Sequence, residues 1–153
     1  MNRIDRAMKI FEEGYNCAQS VVLAYEDVLP LDHEMLSKMS CSFGGGLGRM
    51  REVCGCVSGM AMVLGLVEGY DGIGEGDIKA KHYEKVQEVA HAFEKENGSI
   101  VCRDLLGLSI KSDSPIPEKR TEEYYKKRPC KELVGMAVKI LEEYFDRNGV
   151  CLG

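Results

Sequence analysis

Apolar positions recur every three or four residues over most of this chain, the spacing of one buried helix face after another. Ile4, Ala7, Met8 and Phe11 predict a first helix over about residues 2 to 13, stopped by Gly14. Asn16 is a good cap for a second, in which Cys17, Val21, Ala24 and Val28 share a stripe that Pro30 ends. Asp32 caps a third, HEMLSKMSCSF, which stops at Gly44, Gly45 and Gly46. A fourth starts between Arg51 and Val57 and runs to about Glu68. Its residues are small and apolar on nearly all sides, the pattern of an enclosed helix.

EGYDGIGEGD at 68 to 77 is a turn-rich link to a fifth helix over about 77 to 96. His82, Val86, Val89 and Phe93 form its stripe, Tyr83 and Ala90 widen it, and Asn97 and Gly98 end it. A short helix over Ser99 to Leu106 and a loop over 107 to 118 follow. After Pro129 comes a long last helix with a wide apolar face: Leu133, Val134, Ala137, Ile140, Leu141, Tyr144 and Phe145. There is no run of alternating β-branched residues, no repeat and no linker. The expectation is an all-α protein, a compact multi-helix bundle, folded as a single domain over residues 1–153.

Composition narrows the function. With 153 residues, 44% apolar and 29% charged, the chain can bury a core without disulfide staples. The net charge of −5, the absence of tryptophan and the lack of a basic stripe argue against nucleic acid as a partner. The longest apolar stretch, VSGMAMVLGLV, is too short to span a bilayer, so no membrane insertion is expected. MNRIDRAMKIFEEG lacks the apolar region and cleavage site of a signal peptide, and a cytoplasmic location is the expectation.

Two glycine-rich stretches imitate ligand loops and fail on detail. GGGLGRM has no GKS or GKT ending, and Arg49 or Arg51 stands where a dinucleotide fingerprint needs its third glycine. DGIGEGD puts Ile73 at the third place of a calcium loop and His82 at the twelfth, where oxygen ligands belong. HExxH and GxSxG are absent.

Seven cysteines, an odd number, are many for such a chain, and a reducing compartment disfavours structural disulfides. Cys17, Cys54, Cys56, Cys102 and Cys130 fall in or near predicted first turns, where free amides favour an anion and lower a thiol pKa. Inert burial is the alternative for each of them. Cys41 reads as core and Cys151 as an incidental exposed thiol. No CxxC pair is present, so the fold alone can bring these residues together.

GYNCAQSV at 14 to 21, CGCVSG at 54 to 59, SIVCRDLLG at 99 to 107 and the lone Cys130, with FGGGLG ahead of the second stretch, resemble the C_GCAxxG_C_C family of redox-active proteins. The resemblance covers nearly the whole chain. It implies four family cysteines, Cys17, Cys54, Cys102 and Cys130, and core glycines Gly55 and Gly59. Cys56 departs from the pattern, standing where the family has alanine. The family is described as redox proteins often encoded near transporter genes.

Three functions follow. The first is thiol–disulfide or electron-transfer chemistry, with Cys54 as nucleophile, Cys17, Cys102 or Cys130 resolving it, and Cys56 as a further thiol. Arg49, Arg51 and Arg103 can stabilise a thiolate or orient an anionic substrate. The second is a metal site, zinc or an iron–sulfur cluster, on Cys17, Cys54, Cys102 and Cys130, with His82 in support. The third is a non-catalytic helical module that binds a protein. No cofactor is required by the first reading. Its counterpart is a redox partner protein or a small thiol or disulfide, and a homo-oligomer is compatible with the sequence.

Overall fold

The computed structural model describes residues 1–152. Eight helices follow one another: α1 (Arg3–Glu12), α2 (Cys17–Leu23), α3 (His33–Cys41), α4 (Gly55–Glu68), α5 (Ile78–Asn97), α6 (Cys102–Leu105), α7 (Glu122–Lys127) and α8 (Cys130–Arg147). Among the described residues there is no β-strand, only an isolated antiparallel bridge between Val53 and Val101. The described residues form an all-α, eight-helix compact bundle.

Four helix starts, those of α1, α2, α3 and α7, are written in the sequence as side-chain caps. Asn2, Asn16, Asp32 and Thr121 each accept a hydrogen bond from the backbone N–H three residues on. At α2 the cap is reciprocal, because the Gln19 side chain accepts from the Asn16 N–H. The stripe through Ala24 and Val28 continues beyond α2 as tight turns, with Tyr25 N–H donating to Val22 and Leu29 N–H to Tyr25. The short predicted helix shrinks to α6, so Cys102 is its first residue rather than the third after an expected cap at Ser99. α7 is a helix where the sequence reading placed none.

α4 is the central element, packed against α2, α5 and α8. Gly55 and Gly59 let α2 approach it. A Cβ at Gly59 would lie 2.9 Å from Val21 Cβ and 3.1 Å from the Ala18 carbonyl oxygen. α1 lies along α8, and all seven apolar residues expected on the α8 face are buried. On α5, Val89 and Phe93 are buried, but Tyr83 is 54% exposed and does not widen that face. Leu141 is fully buried in the core that α8 shares with the other helices. Leu141→Ala is expected to cost about 3 kcal/mol, seen as a lower urea midpoint at unchanged slope.

Candidate functional site

Four helix starts meet at one place. Cys17 opens α2, Cys102 opens α6, Cys130 opens α8, and Cys54 immediately precedes α4, with Cys56 in its first turn. All five line a single cavity of about 70 Å³, with Arg51, Arg120 and Tyr124 in the same wall. Cys41 and Cys151 lie outside it and are exposed, so the core position expected for Cys41 is not what the fold provides. No disulfide joins any of the seven thiols among the described residues.

The backbone explains how cysteines far apart in sequence meet. The Val53–Val101 bridge is flanked by two short hydrogen bonds. Cys54 N–H donates to the Ile100 oxygen at 2.7 Å, and Cys102 N–H donates to the Glu52 oxygen at 2.6 Å. The start of α4 is thereby fastened to the start of α6. On its other side α4 meets α2 at Gly55, where an added Cβ would stand 2.7 Å from Cys17 Sγ.

The glycine run supplies the third wall. Gly45, Gly46, Leu47, Gly48 and Arg49 all adopt φ between +54° and +71°, so the chain makes a left-handed turn. Arg51 returns to φ +59°. Glycine is required at 46, where a Cβ would lie 2.6 Å from Cys102 Cβ. Leu47, Arg49 and Arg51 hold the same conformation with side chains, a local strain of about 1–2 kcal/mol each. This turn brings the Gly45 amide onto the Cys17 sulfur.

The electrostatics separate the thiols. Cys17 is lowered to about 6, first by a hydrogen bond from the Cys56 thiol and then, against the cost of burial, by the backbone amides of Gly45, Ala18 and Cys17 itself. Cys56 is correspondingly raised, since it must keep its proton to donate to Cys17 and it also faces Cys54. Burial pushes Cys130 up to about 12, with the charge on Cys17 adding to it. Burial also raises Cys102, although Arg51 Nη1 donates to its sulfur at 3.5 Å. The result is a Cys17 thiolate beside Cys56, Cys102 and Cys130, which their surroundings hold towards the protonated form.

Arg51 is itself 6% exposed and held by Asp113, with Nη2 donating at 3.0 Å. Arg49 donates to the same carboxylate oxygen at 2.8 Å. The Ser114 backbone N–H and these two guanidiniums hold the Asp113 carboxyl down to about 2. Arg103 is elsewhere, bonded to the carbonyls of Arg51 and Lys111 and paired with Glu52. It lines neither this cavity nor the pocket beside it.

Arg120 and Tyr124 are wall residues that the sequence reading did not single out. A signal was present: Thr121 followed by Glu122 and Glu123, then Lys126 and Lys127, is the capped and charge-ordered start and end of a short helix. His82 does not join the thiols. It packs edge-on against Tyr70, and its buried Nδ1 has no partner among the described residues. Also among the described residues, no group of three or more His, Cys, Asp or Glu side chains is arranged to hold a metal ion. Zinc or an iron–sulfur cluster would need Cys17, Cys54, Cys102 and Cys130 drawn into a coordination sphere that the described residues do not form.

Residues 15–144 match the family described as "Putative redox-active protein (C_GCAxxG_C_C)". Curated proteins and solved structures give no match to this chain. No helix among the described residues is long and apolar enough to cross a membrane.

Proposed function

The chain belongs to the C_GCAxxG_C_C family, and on that premise we propose that it is a thiol redox protein whose attacking group is the Cys17 thiolate. The observation that carries this reading is the convergence of five thiols on one cavity, with Cys17 lowered to about 6 among them. The role shifts from Cys54, favoured on sequence, to Cys17. Cys54 N–H is committed to Ile100, whereas the amides around Cys17 aim at its sulfur.

The step is a two-electron exchange. Cys17 Sγ attacks one sulfur of a disulfide, the S–S bond breaks, and the departing thiolate takes a proton from water. A second cavity thiol, among Cys54, Cys56, Cys102 and Cys130, then gives its proton to water and attacks Cys17 Sγ, expelling the second thiolate. The protein exchanges one thiolate and one thiol for a disulfide, and the substrate disulfide leaves as one thiol and one thiolate, the latter taking its proton from solvent. The reverse direction uses the same atoms. Such exchange suits a reducing compartment, with a small disulfide or a partner protein as counterpart.

The test is mild oxidation followed by peptide mapping. The expected result is reversible loss of two thiols, one of them Cys17 and both from the cavity, with Cys41 and Cys151 still free. Oxidation confined to Cys41 and Cys151, or no reversible loss, would sink the proposal. Metal bound stoichiometrically by anaerobically purified protein, shielding the four family thiols, would favour the metal reading instead.

A further inference from the structure

Beyond the thiols the cavity opens into a second pocket of about 400 Å³, which shares Gly45, Arg51, Arg120 and Cys130 with it. That volume is within the range of small-molecule sites. Four arginines line it, Arg49, Arg51, Arg120 and Arg128, against one acidic residue, Glu118. The chain as a whole carries −5, so this concentration of positive charge runs against the background.

The arginines are not equally engaged. Arg49 and Arg51 spend their charge on Asp113. Arg128 is paired with Glu118. Arg120 has no carboxylate partner among the described residues. Its guanidinium donates to the carbonyl oxygens of Phe11 and Tyr15 and lies 4.0 Å above the Phe11 ring. It is thus fixed in place, half-buried, with its formal charge uncompensated, beside a cavity that holds the thiolate. Arg49 Nε is buried on the same side and has no partner among the described residues.

We propose that this pocket binds a carboxylate, and that the substrate of the thiol site is a small disulfide carrying one. The inference rests on the thiol redox reading for its sulfur chemistry and on the arginines for its charge. The disulfide enters the 70 Å³ thiol cavity at one end while its carboxylate takes charge-assisted hydrogen bonds from Arg120 and Arg128 at the other. Attraction between Arg120 and an incoming anion offsets the repulsion that the Cys17 thiolate would otherwise exert on it. The exchange step is the one written above. The carboxylate takes no part in it and serves to place a sulfur atom before Cys17.

The experiment compares 3,3′-dithiodipropionate, 2-hydroxyethyl disulfide and cystamine, which are anionic, neutral and cationic. Each rate is divided by the rate of the same disulfide with a free thiol, which removes leaving-group differences. The dicarboxylate is expected to be favoured about tenfold over the neutral compound, as one charge-assisted hydrogen bond allows, with cystamine slowest. Arg128→Gln should reduce that preference several-fold, and Glu118→Gln, which releases Arg128, should raise it. No preference, or a preference untouched by both changes in folded protein, overturns the proposal. Suberate, a dicarboxylate of the same length with no sulfur, separates the two readings by calorimetric titration. Suberate binding that weakens in Arg128→Gln, with no disulfide reacting, would keep the anion site and reject the thiol chemistry. Absence of suberate binding at millimolar concentration would reject the anion site whatever the thiols do.

Discussion

Gly55→Ala is expected to destabilise the protein by about 1 kcal/mol and to slow thiol labelling several-fold at pH 6, although alanine is the better helix former. Propensity alone favours the change by roughly 1 kcal/mol within a helix. Packing opposes it. The new methyl would stand 2.7 Å from Cys17 Sγ and 2.8 Å from the Phe43 carbonyl oxygen, and 3.2 Å from the Ala18 nitrogen. The carbonyl belongs to backbone leading into the left-handed turn, so it cannot swing away as a flexible side chain would. Overpacking of this kind costs about 1–3 kcal/mol and, with an unyielding carbonyl, exceeds the propensity gain. The sulfur is the softer neighbour and takes most of the shift. Cys17 then leaves the amides of Gly45 and Ala18, and its thiolate loses their support. Urea denaturation and iodoacetamide labelling of the same variant read the two effects separately. A variant as stable as the parent and labelled at the same rate would show that α2 and α4 do not approach this closely.

The same contact explains what a sequence can and cannot reveal of this site. Helix starts were legible because caps are local: Asn16 and Asp32 sit three residues from the amides they satisfy. The buried face of α8 was legible because seven apolar residues keep one period. The tendency of five cysteines to lie at helix starts was legible on the same grounds. Their meeting was not, because it depends on the Val53–Val101 bridge, whose partners are separated by forty-odd residues and carry no pairing signal. The ranking among thiols was not legible either. It depends on the Gly45 amide and the Cys56 proton, and both reach Cys17 through tertiary packing.

Cys56 shows how a departure from the family pattern gains meaning once neighbours are known. In sequence it was an extra thiol where the family has alanine. In the fold it is fully buried between Cys17 and Cys54, and its proton is the largest single influence on Cys17. Alanine at this position would remove that donor and leave the space of one sulfur atom beside Cys17. The expected role of Cys56 is therefore to position and charge Cys17, with its own sulfur available as a second thiol.

Cys17→Ala is expected to remove the fast phase of alkylation, and the pH at which this is measured decides how large the loss looks. A thiol of pKa about 6 is roughly nine-tenths ionised at pH 7, against a few per cent for an ordinary thiol near 8.5. The gain in thiolate is largely offset by lower intrinsic nucleophilicity, so near pH 7 the advantage is only about two- to threefold. At pH 6 the ordinary thiol is ionised to well under 1%, while Cys17 is about half ionised, and the advantage becomes about tenfold. Labelling of the parent protein should rise with pH through about 6 and then level off, because deprotonation creates the nucleophile. Below that midpoint the thiolate is protonated and the fast phase fades. In Cys17→Ala the rise through about 6 should disappear, because the thiol that produced it is gone. Cys56→Ala is the companion measurement. It keeps the attacking sulfur but removes its main donor, so the midpoint should move upward while the fast phase survives. A fast phase that persists without Cys17, or a midpoint unmoved without Cys56, would assign the reactive thiolate to another sulfur in the cavity.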